Sequence, residues 1–210
     1  MRTLTLALTF LLLLLLTSMP YAQPVASDNT PVEVVLTSEQ PPILTCEAPY
    51  EEPSELEPII QQVKSMYRID TPLAEQIVVA VSEQSAAYDM DPWLILALIK
   101  VESNGNPLAR SKAGALGLMQ LLPSTAEDIA VELGHEWNGE EQLLTVDINV
   151  RYGVHYLRKL LDRFDNMQAA IAAYNWGPNH IARRIRRDAE LPSEYPIKVL
   201  AELSTKREDF

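Results

Sequence analysis

The sequence predicts an all-α protein, and three observations support this fold class. Apolar residues recur at helical spacing through most of the chain from Leu56 onward. A residue that can cap a helix stands directly before proline at Thr71-Pro72 and at Asp91-Pro92, a pattern typical of helix starts. The chain has no series of alternating apolar and polar segments of the kind that forms sheets. We therefore expect helices around one core, with at most a small loop or hairpin insertion.

Length and composition fit one globular domain with accessory segments. The chain has 210 residues, of which 47% are hydrophobic and 22% are charged. The net charge of -12 argues against nucleic acid as the main partner, because a phosphate backbone requires a basic face. His135, His155, His180 and the single Cys46 are too scattered to predict a zinc site, so we expect no metal.

The first residues predict export. Residues 4–16 form an uncharged stretch of 13 residues behind Arg2, which is too short for a bilayer span and typical of a signal peptide. We predict a signal peptide over residues 1–22. We therefore expect the protein to be located in the periplasm or cell envelope. Cleavage after Ser27, or retention of the segment as an uncleaved anchor, remains an alternative.

A spacer is predicted to follow. Residues 23–58 contain seven prolines, eight acidic residues and no basic residue. This composition cannot bury enough apolar surface to offset the entropy of ordering, so we predict a disordered linker over residues 23–57. The linker either reaches a partner in an envelope complex or is filler, and the composition does not decide between the two.

The remaining residues, 58–210, are predicted to form the helical domain. The segment that starts at Trp93 is apolar almost all round and is expected to be a central helix. Residues 111–122 lack a helical period, and Gly114 and Gly117 favour a loop or hairpin there. The predicted helices cover residues 72–88, with Thr71 as the N-cap, and residues 93–103, 123–133, 147–164, 168–175 and 179–188.

Glu102 is the residue most suited to chemistry. It shares a helical face with Ile95, Leu98 and Ile99, so its carboxyl group is either buried among apolar groups or opens into a cleft. Desolvation and the negative end of the helix dipole would both raise its pKa. A carboxylic acid that is protonated near neutral pH can act as a general acid. The alternative is a carboxylate that bends out into solvent.

An ordered series of short motifs extends from Glu102. The series comprises Glu102-Ser103, Asn106-Pro107 and Ser111, then residues 114–120 and 123–126, then Asn149 with Gly153 and Tyr156-Leu157, then residues 172–178, and finally Tyr195. Over residues 70–200 it resembles the soluble lytic transglycosylase (SLT) catalytic domain of glycoside hydrolase family 23. The resemblance implies a lysozyme-like helical fold. It also implies cleavage of the β-1,4 bond between N-acetylmuramic acid and N-acetylglucosamine in peptidoglycan, leaving 1,6-anhydromuramyl ends.

The same resemblance assigns roles to individual residues. Glu102 corresponds to the sole catalytic acid and base, and the following residues correspond to substrate-binding positions: Ser103 beside it, Ser111 at the N-acetyl region, Met119 and Gln120 along the cleft, Tyr174 hydrogen-bonding near the carboxyl, Asn175 on the same wall, and Tyr195 as a closing tyrosine. By residue type alone, Met119 and Tyr174 could be core residues, Asn175 a helix cap and Ser111 a turn residue.

Two departures from the family pattern stand out. Trp176 occupies a position where the family usually has a small residue, and residues 190–194 differ from the segment that usually precedes the tyrosine equivalent to Tyr195. We therefore assign no functional role to any acidic residue in that segment.

The implied reaction needs no cofactor and no metal, and we expect a monomer whose partner is the peptidoglycan glycan strand. A goose-type lysozyme is the nearest alternative, and it would require a second carboxylate, for which Glu127, Asp128 and Asp147 are the candidates. A non-catalytic wall-binding protein that assembles an envelope complex is the alternative from another class.

Overall fold

The computed structural model describes residues 55–207. The predicted signal peptide of residues 1–22 and the predicted linker, apart from its last three residues, lie outside this range. Within residues 55–207, no helix combines the length and the apolar character needed to cross a membrane.

The described residues form a helical domain. Eight α-helices and one 3-10 helix follow one another, and the predicted all-α class is confirmed. The α-helices are α1 (Glu57–Tyr67), α2 (Thr71–Tyr88), α3 (Pro92–Ser103), α4 (Pro123–Leu133), α5 (Val146–Arg163), α6 (Met167–Trp176), α7 (Pro178–Arg186) and α8 (Glu194–Arg207), and the 3-10 helix (Glu140–Leu144) precedes α5.

Helix α3 is the centre of the domain, as its all-round apolar sequence predicts. Six consecutive residues, 94–99, are buried. Helix α8 packs against α3 and also contacts α6. The last turn of α3, which carries Glu102, therefore lies beside the start of α8.

Helix α8 was not predicted from the sequence. Among its side chains, Pro196, Val199 and Leu203 are buried, whereas Ile197 is exposed. So few buried positions give only a weak helical period. Its position depends on packing against α3, which sequence periodicity does not reveal.

The cap of α2 differs from the prediction by one residue. The Oδ1 atom of Asp70 accepts a hydrogen bond from the backbone N–H of Leu73 at 3.1 Å, so Asp70 and not Thr71 is the N-cap. The Thr71 hydroxyl instead accepts a hydrogen bond from Lys64 at 2.9 Å. At α3 the prediction is confirmed, because Asp91 caps the helix through the N–H of Trp93.

The predicted loop or hairpin is present between α3 and α4. Leu116 and Leu121 exchange two backbone hydrogen bonds of 2.9 and 3.0 Å, and Arg110 pairs with Leu116. The segment turns back on itself and brings residues 117–120 against the helices. The hairpin therefore presents this motif at a defined place beside α3 and α5.

Asn149 of α5 holds the hairpin. Its side chain is fully buried, and its amide nitrogen donates to the carbonyl oxygens of Leu116 at 2.9 Å and Leu143 at 2.8 Å. Its amide oxygen accepts a hydrogen bond from the backbone N–H of Met119 at 2.7 Å. Gly117 lies directly against this amide, and its positive φ of 78° favours glycine. The hairpin is thus fixed by a buried polar side chain whose hydrogen bonds are satisfied.

The cap assignment predicts that Asp70→Ala lowers the free energy of unfolding by about 1 kcal/mol, because the N–H of Leu73 loses its acceptor. Thr71→Ala is the matched control and should cost clearly less, since Thr71 does not cap the helix. Urea denaturation of both variants measures the difference. A larger loss in Thr71→Ala than in Asp70→Ala would contradict the assignment.

Two glycines of the hairpin provide a second test. Gly117 and Gly114 both have positive φ, 78° and 84°, but they differ in surroundings. A Cβ on Gly117 would lie 2.1 Å from the Leu143 carbonyl oxygen and 2.2 Å from Asn149 Nδ2, whereas a Cβ on Gly114 would meet nothing within 4 Å. We expect Gly117→Ala to be less stable than Gly114→Ala by roughly 1–3 kcal/mol in urea denaturation, because only Gly117→Ala adds a steric clash. Equal losses would show that backbone conformation alone matters.

Candidate active site

Glu102 lies in the last turn of α3 and is partly buried. The hydroxyl of Tyr195, in the first turn of α8, donates a hydrogen bond to Glu102 Oε1. The two residues are 93 positions apart in the sequence, and the packing of α8 on α3 brings them together. The Glu102 side chain therefore faces a tyrosine at a helix interface and does not extend into bulk solvent.

Burial raises the pKa of Glu102 above its ordinary value. The hydrogen bond from Tyr195 acts in the opposite direction, because it stabilises the carboxylate, and it is the smaller of the two effects on the pKa. The pKa of Tyr195 is itself raised, first by burial and then by the negative charge of Glu102. Tyr195 therefore remains a neutral hydrogen-bond donor while Glu102 titrates.

Tyr174 of α6 is buried next to this pair. Its hydroxyl donates to the backbone carbonyl oxygen of Met119 at 2.9 Å, and its ring lies 5.3 Å from the ring of Tyr156. Burial and then the charge of Glu102 raise the Tyr174 pKa, which places Tyr174 within electrostatic reach of the carboxylate. The structure thus brings Tyr174 to the site, where its hydroxyl donates a hydrogen bond to the backbone of the hairpin.

Ser103 connects α3 to the hairpin. Its hydroxyl lies 2.8 Å from the carbonyl oxygen of Leu118 and 3.2 Å from that of Ile99. The residue beside Glu102 is therefore engaged in holding residues 117–120 in place. Together with Asn149 and Tyr174, it ties the hairpin to three different helices.

Gln120 and Met119 occupy the hairpin in different ways. Gln120 is partly buried with a φ of 48°, and its amide nitrogen donates to the carbonyl oxygens of Gly117 at 2.9 Å and Ala109 at 3.2 Å. The side chain of Met119 is fully buried and lies against Gly153 of α5. Contrary to the prediction, the Met119 side chain therefore packs in the core and does not line a cleft.

Ser111 and Asn175 are both exposed. The Ser111 hydroxyl accepts a hydrogen bond from the backbone N–H of Ala115 at 3.0 Å, which matches the alternative interpretation of Ser111 as a turn residue. Asn175 is not the helix cap, because the C-cap of α6 is Gly177. The substrate contacts assigned to these two residues stay predictions.

None of the three candidates for a second carboxylate is among the causes that shift the Glu102 pKa. The causes that shift the Glu102 pKa are burial and Tyr195. Glu127 and Asp128 are exposed on α4, and Asp147 forms an ion pair with Arg151 at 3.0 Å on the surface of α5. Between residues 55 and 207 there is likewise no group of three or more His, Cys, Asp or Glu side chains placed to hold a metal ion.

Asn149 is the site-positioning residue to which sequence reasoning assigned no role. The signal was present, because Asn149 lies on the face of α5 that also carries Val146, Val150 and Gly153, all buried. A polar residue on a buried helical face needs hydrogen-bond partners, and the hairpin provides them.

Comparison with known proteins identifies relatives of this domain. The family model of the Transglycosylase SLT domain matches residues 80–196. A transglycosylase of Enterobacteria phage PRD1 is 37% identical over 95 residues, which are 45% of this chain and 32% of that protein. An endo-type membrane-bound lytic murein transglycosylase A of Klebsiella pneumoniae is 45% identical over 82 residues, which are 37% of this chain and 39% of that protein. The matches span less than half of these curated relatives.

Two solved structures are similar as well. An inactive Glu-to-Gln mutant of the lytic transglycosylase Slt from Pseudomonas aeruginosa has a TM-score of 0.50 at 30% identity and covers 58% of this chain and 20% of that chain. The 70 kDa soluble lytic transglycosylase from Escherichia coli has a TM-score of 0.59 at 20% identity, covers 77% of this chain and 31% of that chain, and supports the fold alone. Because the family model covers more than half of the sequence, the resemblance seen in the motifs is confirmed, and the chain belongs to the Transglycosylase SLT domain family.

Proposed function

We propose that this chain is a lytic transglycosylase that cleaves the β-1,4 bond between N-acetylmuramic acid and N-acetylglucosamine in peptidoglycan. The observation that carries the proposal is the environment of Glu102. This carboxyl group is partly buried, it accepts a hydrogen bond from the Tyr195 hydroxyl, and burial raises its pKa. The names of the relatives, which are transglycosylases of murein or of a phage, support the same activity.

A single carboxyl group is sufficient if the substrate supplies the nucleophile. Ordinary glycosidases use two carboxylates, one as acid and one as nucleophile or base. Here Glu102 donates its proton to the glycosidic oxygen as the bond from that oxygen to C1 of the muramyl residue breaks. The 2-acetamido group supports the positive charge at C1. The C6 oxygen then bonds to C1 and returns its proton to Glu102, so no water is consumed.

The surroundings of Glu102 suit both steps. Protonation before cleavage is favoured by burial, and the carboxylate formed after proton donation is stabilised by the Tyr195 hydroxyl. Intramolecular attack by the C6 hydroxyl benefits from high effective molarity, provided that the sugar is held in the reactive geometry. The hairpin, fixed by Ser103, Asn149 and Tyr174, is the element on which such holding depends.

The relatives add support from the chemical side. The Slt structure from Pseudomonas aeruginosa is of an inactive mutant in which Gln replaces a glutamate, so that protein depends on one glutamate for activity. A further structure of the 70 kDa enzyme is a complex with bulgecin A. By analogy we assign the catalytic role in this chain to Glu102 and substrate-binding roles to Ser103, Ser111, Gln120, Tyr174, Asn175 and Tyr195.

We further propose that the domain of residues 58–210 works in the periplasm or cell envelope. The signal peptide of residues 1–22 would export the chain, and the acidic linker of residues 23–57 would allow the domain to reach the wall or an envelope complex. The relatives include a membrane-bound lytic murein transglycosylase, which fits an envelope location.

The activity is tested with purified peptidoglycan sacculi and mass spectrometry of the released fragments. We expect the parent chain to release 1,6-anhydromuramyl products and Glu102→Gln to release them at least about 100-fold more slowly, because general acid and base catalysis is lost. Glu127→Gln is the control, since Glu127 is an exposed glutamate of α4 to which the proposed mechanism assigns no role.

Reducing muramyl ends, together with impairment of Glu127→Gln, would indicate a goose-type hydrolase. Release by Glu102→Gln at the parent rate would indicate that Glu102 is not the catalytic acid and would contradict the proposal.

The hydrogen bond from Tyr195 predicts a pH effect. Tyr195→Phe removes the contact that lowers the Glu102 pKa, so this pKa should rise further. Glu102 then stays protonated to higher pH, and the alkaline limb of the kcat/KM profile should move to higher pH. Tyr88→Phe is the control, because the Tyr88 hydroxyl contacts His155 at 2.8 Å and not Glu102. A shift of the limb to lower pH in Tyr195→Phe would exclude the assigned role.

A further inference from the structure

Trp176 is an exposed tryptophan at the end of α6. Its side chain is 54% exposed, although tryptophan is usually well buried. Its indole ring stacks on the imidazole of His180 in α7, with ring centroids 5.7 Å apart and planes inclined by 28°. The stack covers one face of the indole and restricts its orientation, so the solvent exposure falls mainly on the remaining surface of a fixed ring.

A fixed and exposed indole face is suited to binding a sugar ring. The π-system of tryptophan is negative on its face, and the axial C–H groups of a pyranose are weakly positive and apolar. Asn175, the exposed neighbour, carries an amide that can both donate to and accept from the hydroxyl and N-acetyl groups of a saccharide. The pair therefore offers an apolar platform next to a polar group.

The position of Trp176 relates this platform to the active site. Trp176 follows Tyr174 by two residues on α6, and the Tyr174 hydroxyl binds the hairpin that Ser103, the neighbour of Glu102, also binds. Two residues correspond to a rotation of about 200° and a rise of about 3 Å along a helix, so Trp176 and Tyr174 lie on different faces of α6. A glycan strand extends over several saccharides and can reach both places.

We propose that Trp176, held by His180, is a stacking subsite for an N-acetylhexosamine residue of the glycan strand, outside the residues joined by the cleaved bond. This inference rests on the proposed function. The subsite contributes to binding of the strand and not to the bond-breaking step, because Trp176 lies on a different face of α6 from Tyr174, which binds the hairpin.

A protein-binding role for Trp176 is less well supported. Residues that dominate protein interfaces are surrounded by further contact area. The exposed large apolar residues nearest to Trp176 along the chain are Met167, at the opposite end of α6, and Ile185, about 140° around α7 from His180. On α6 and α7, the exposed indole therefore has no exposed large apolar side chain beside it.

Four full-length proteins test the subsite: the parent, Trp176→Leu, Trp176→Phe and Met167→Ala. Trp176→Leu keeps apolar bulk but removes the ring, and Trp176→Phe keeps a ring. Met167→Ala is the matched control, because Met167 is 46% exposed on the same helix. KM and kcat are measured on peptidoglycan sacculi. Binding of a soluble N-acetylglucosamine tetramer is measured by calorimetry with the same changes made in a Glu102→Gln background.

We expect Trp176→Leu to raise KM and the tetramer Kd roughly three- to tenfold with kcat nearly constant, as loss of one aromatic contact implies. Trp176→Phe should retain most of the affinity, and Met167→Ala should equal the parent. Unchanged KM and Kd in a folded Trp176→Leu would overturn the inference, as would a loss confined to kcat. If Trp176→Leu does not fold, Trp176→Phe becomes the deciding variant. The inference then requires that its KM and Kd stay within about threefold of the parent values. A larger rise in either constant overturns the inference.

The outcome also separates this inference from the proposed function. If the parent cleaves sacculi and Trp176→Leu behaves like Met167→Ala, only the subsite is refuted. If the parent releases no product and the Glu102→Gln protein binds no tetramer, the proposed function itself fails.

Discussion

The packing of α8 on α3 determines the environment of Glu102. Without α8, the last turn of α3 would be open to solvent, and an exposed glutamate is ionised near neutral pH. With α8 in place, the carboxyl group is partly buried and touches Tyr195. Burial raises the Glu102 pKa, and the hydrogen bond from Tyr195 limits the rise. The packing of α8 on α3 therefore favours the protonated acid before proton donation and stabilises the carboxylate afterwards. The site depends on this balance because burial and Tyr195 are the two influences that set the Glu102 pKa.

The hairpin between α3 and α4 is the second structural requirement. Its own β-pairing is limited to isolated bridges. Side chains from three helices hold it in place: Ser103 of α3, Asn149 of α5 and Tyr174 of α6. All three side chains bind backbone groups of residues 116–119. Asn149 also binds the backbone of the neighbouring 3-10 helix. The motif residues that a sequence comparison associates with substrate are thus partly devoted to fixing the backbone. Their role in catalysis is indirect, because they determine where the surface beside Glu102 lies.

The sequence predicted α2 to α7, which have their own period or caps, and it predicted Glu102 as the acid, because these features are local. It specified no helix for the segment that forms α1, and it did not predict α8, whose place depends on contacts with α3 from a distant part of the chain. It placed the N-cap of α2 one residue too late, at Thr71 instead of Asp70, because both residue types can cap a helix. It assigned Met119 to a cleft, although packing against Gly153 buries the side chain. Whether a motif residue offers its side chain or its backbone is decided by tertiary contacts.

The central claim is that Glu102 holds its proton more tightly than an ordinary glutamate. Carbon-13 NMR of the full chain, with label in the glutamate carboxyl groups and assignment by Glu102→Gln, measures this directly. We expect the midpoint of Glu102 to lie above the ordinary glutamate value, because burial disfavours the charge, and that of Glu132 to lie below it, because Lys159 and His155 bind its carboxylate. A Glu102 midpoint at or below that of an exposed glutamate would contradict the account.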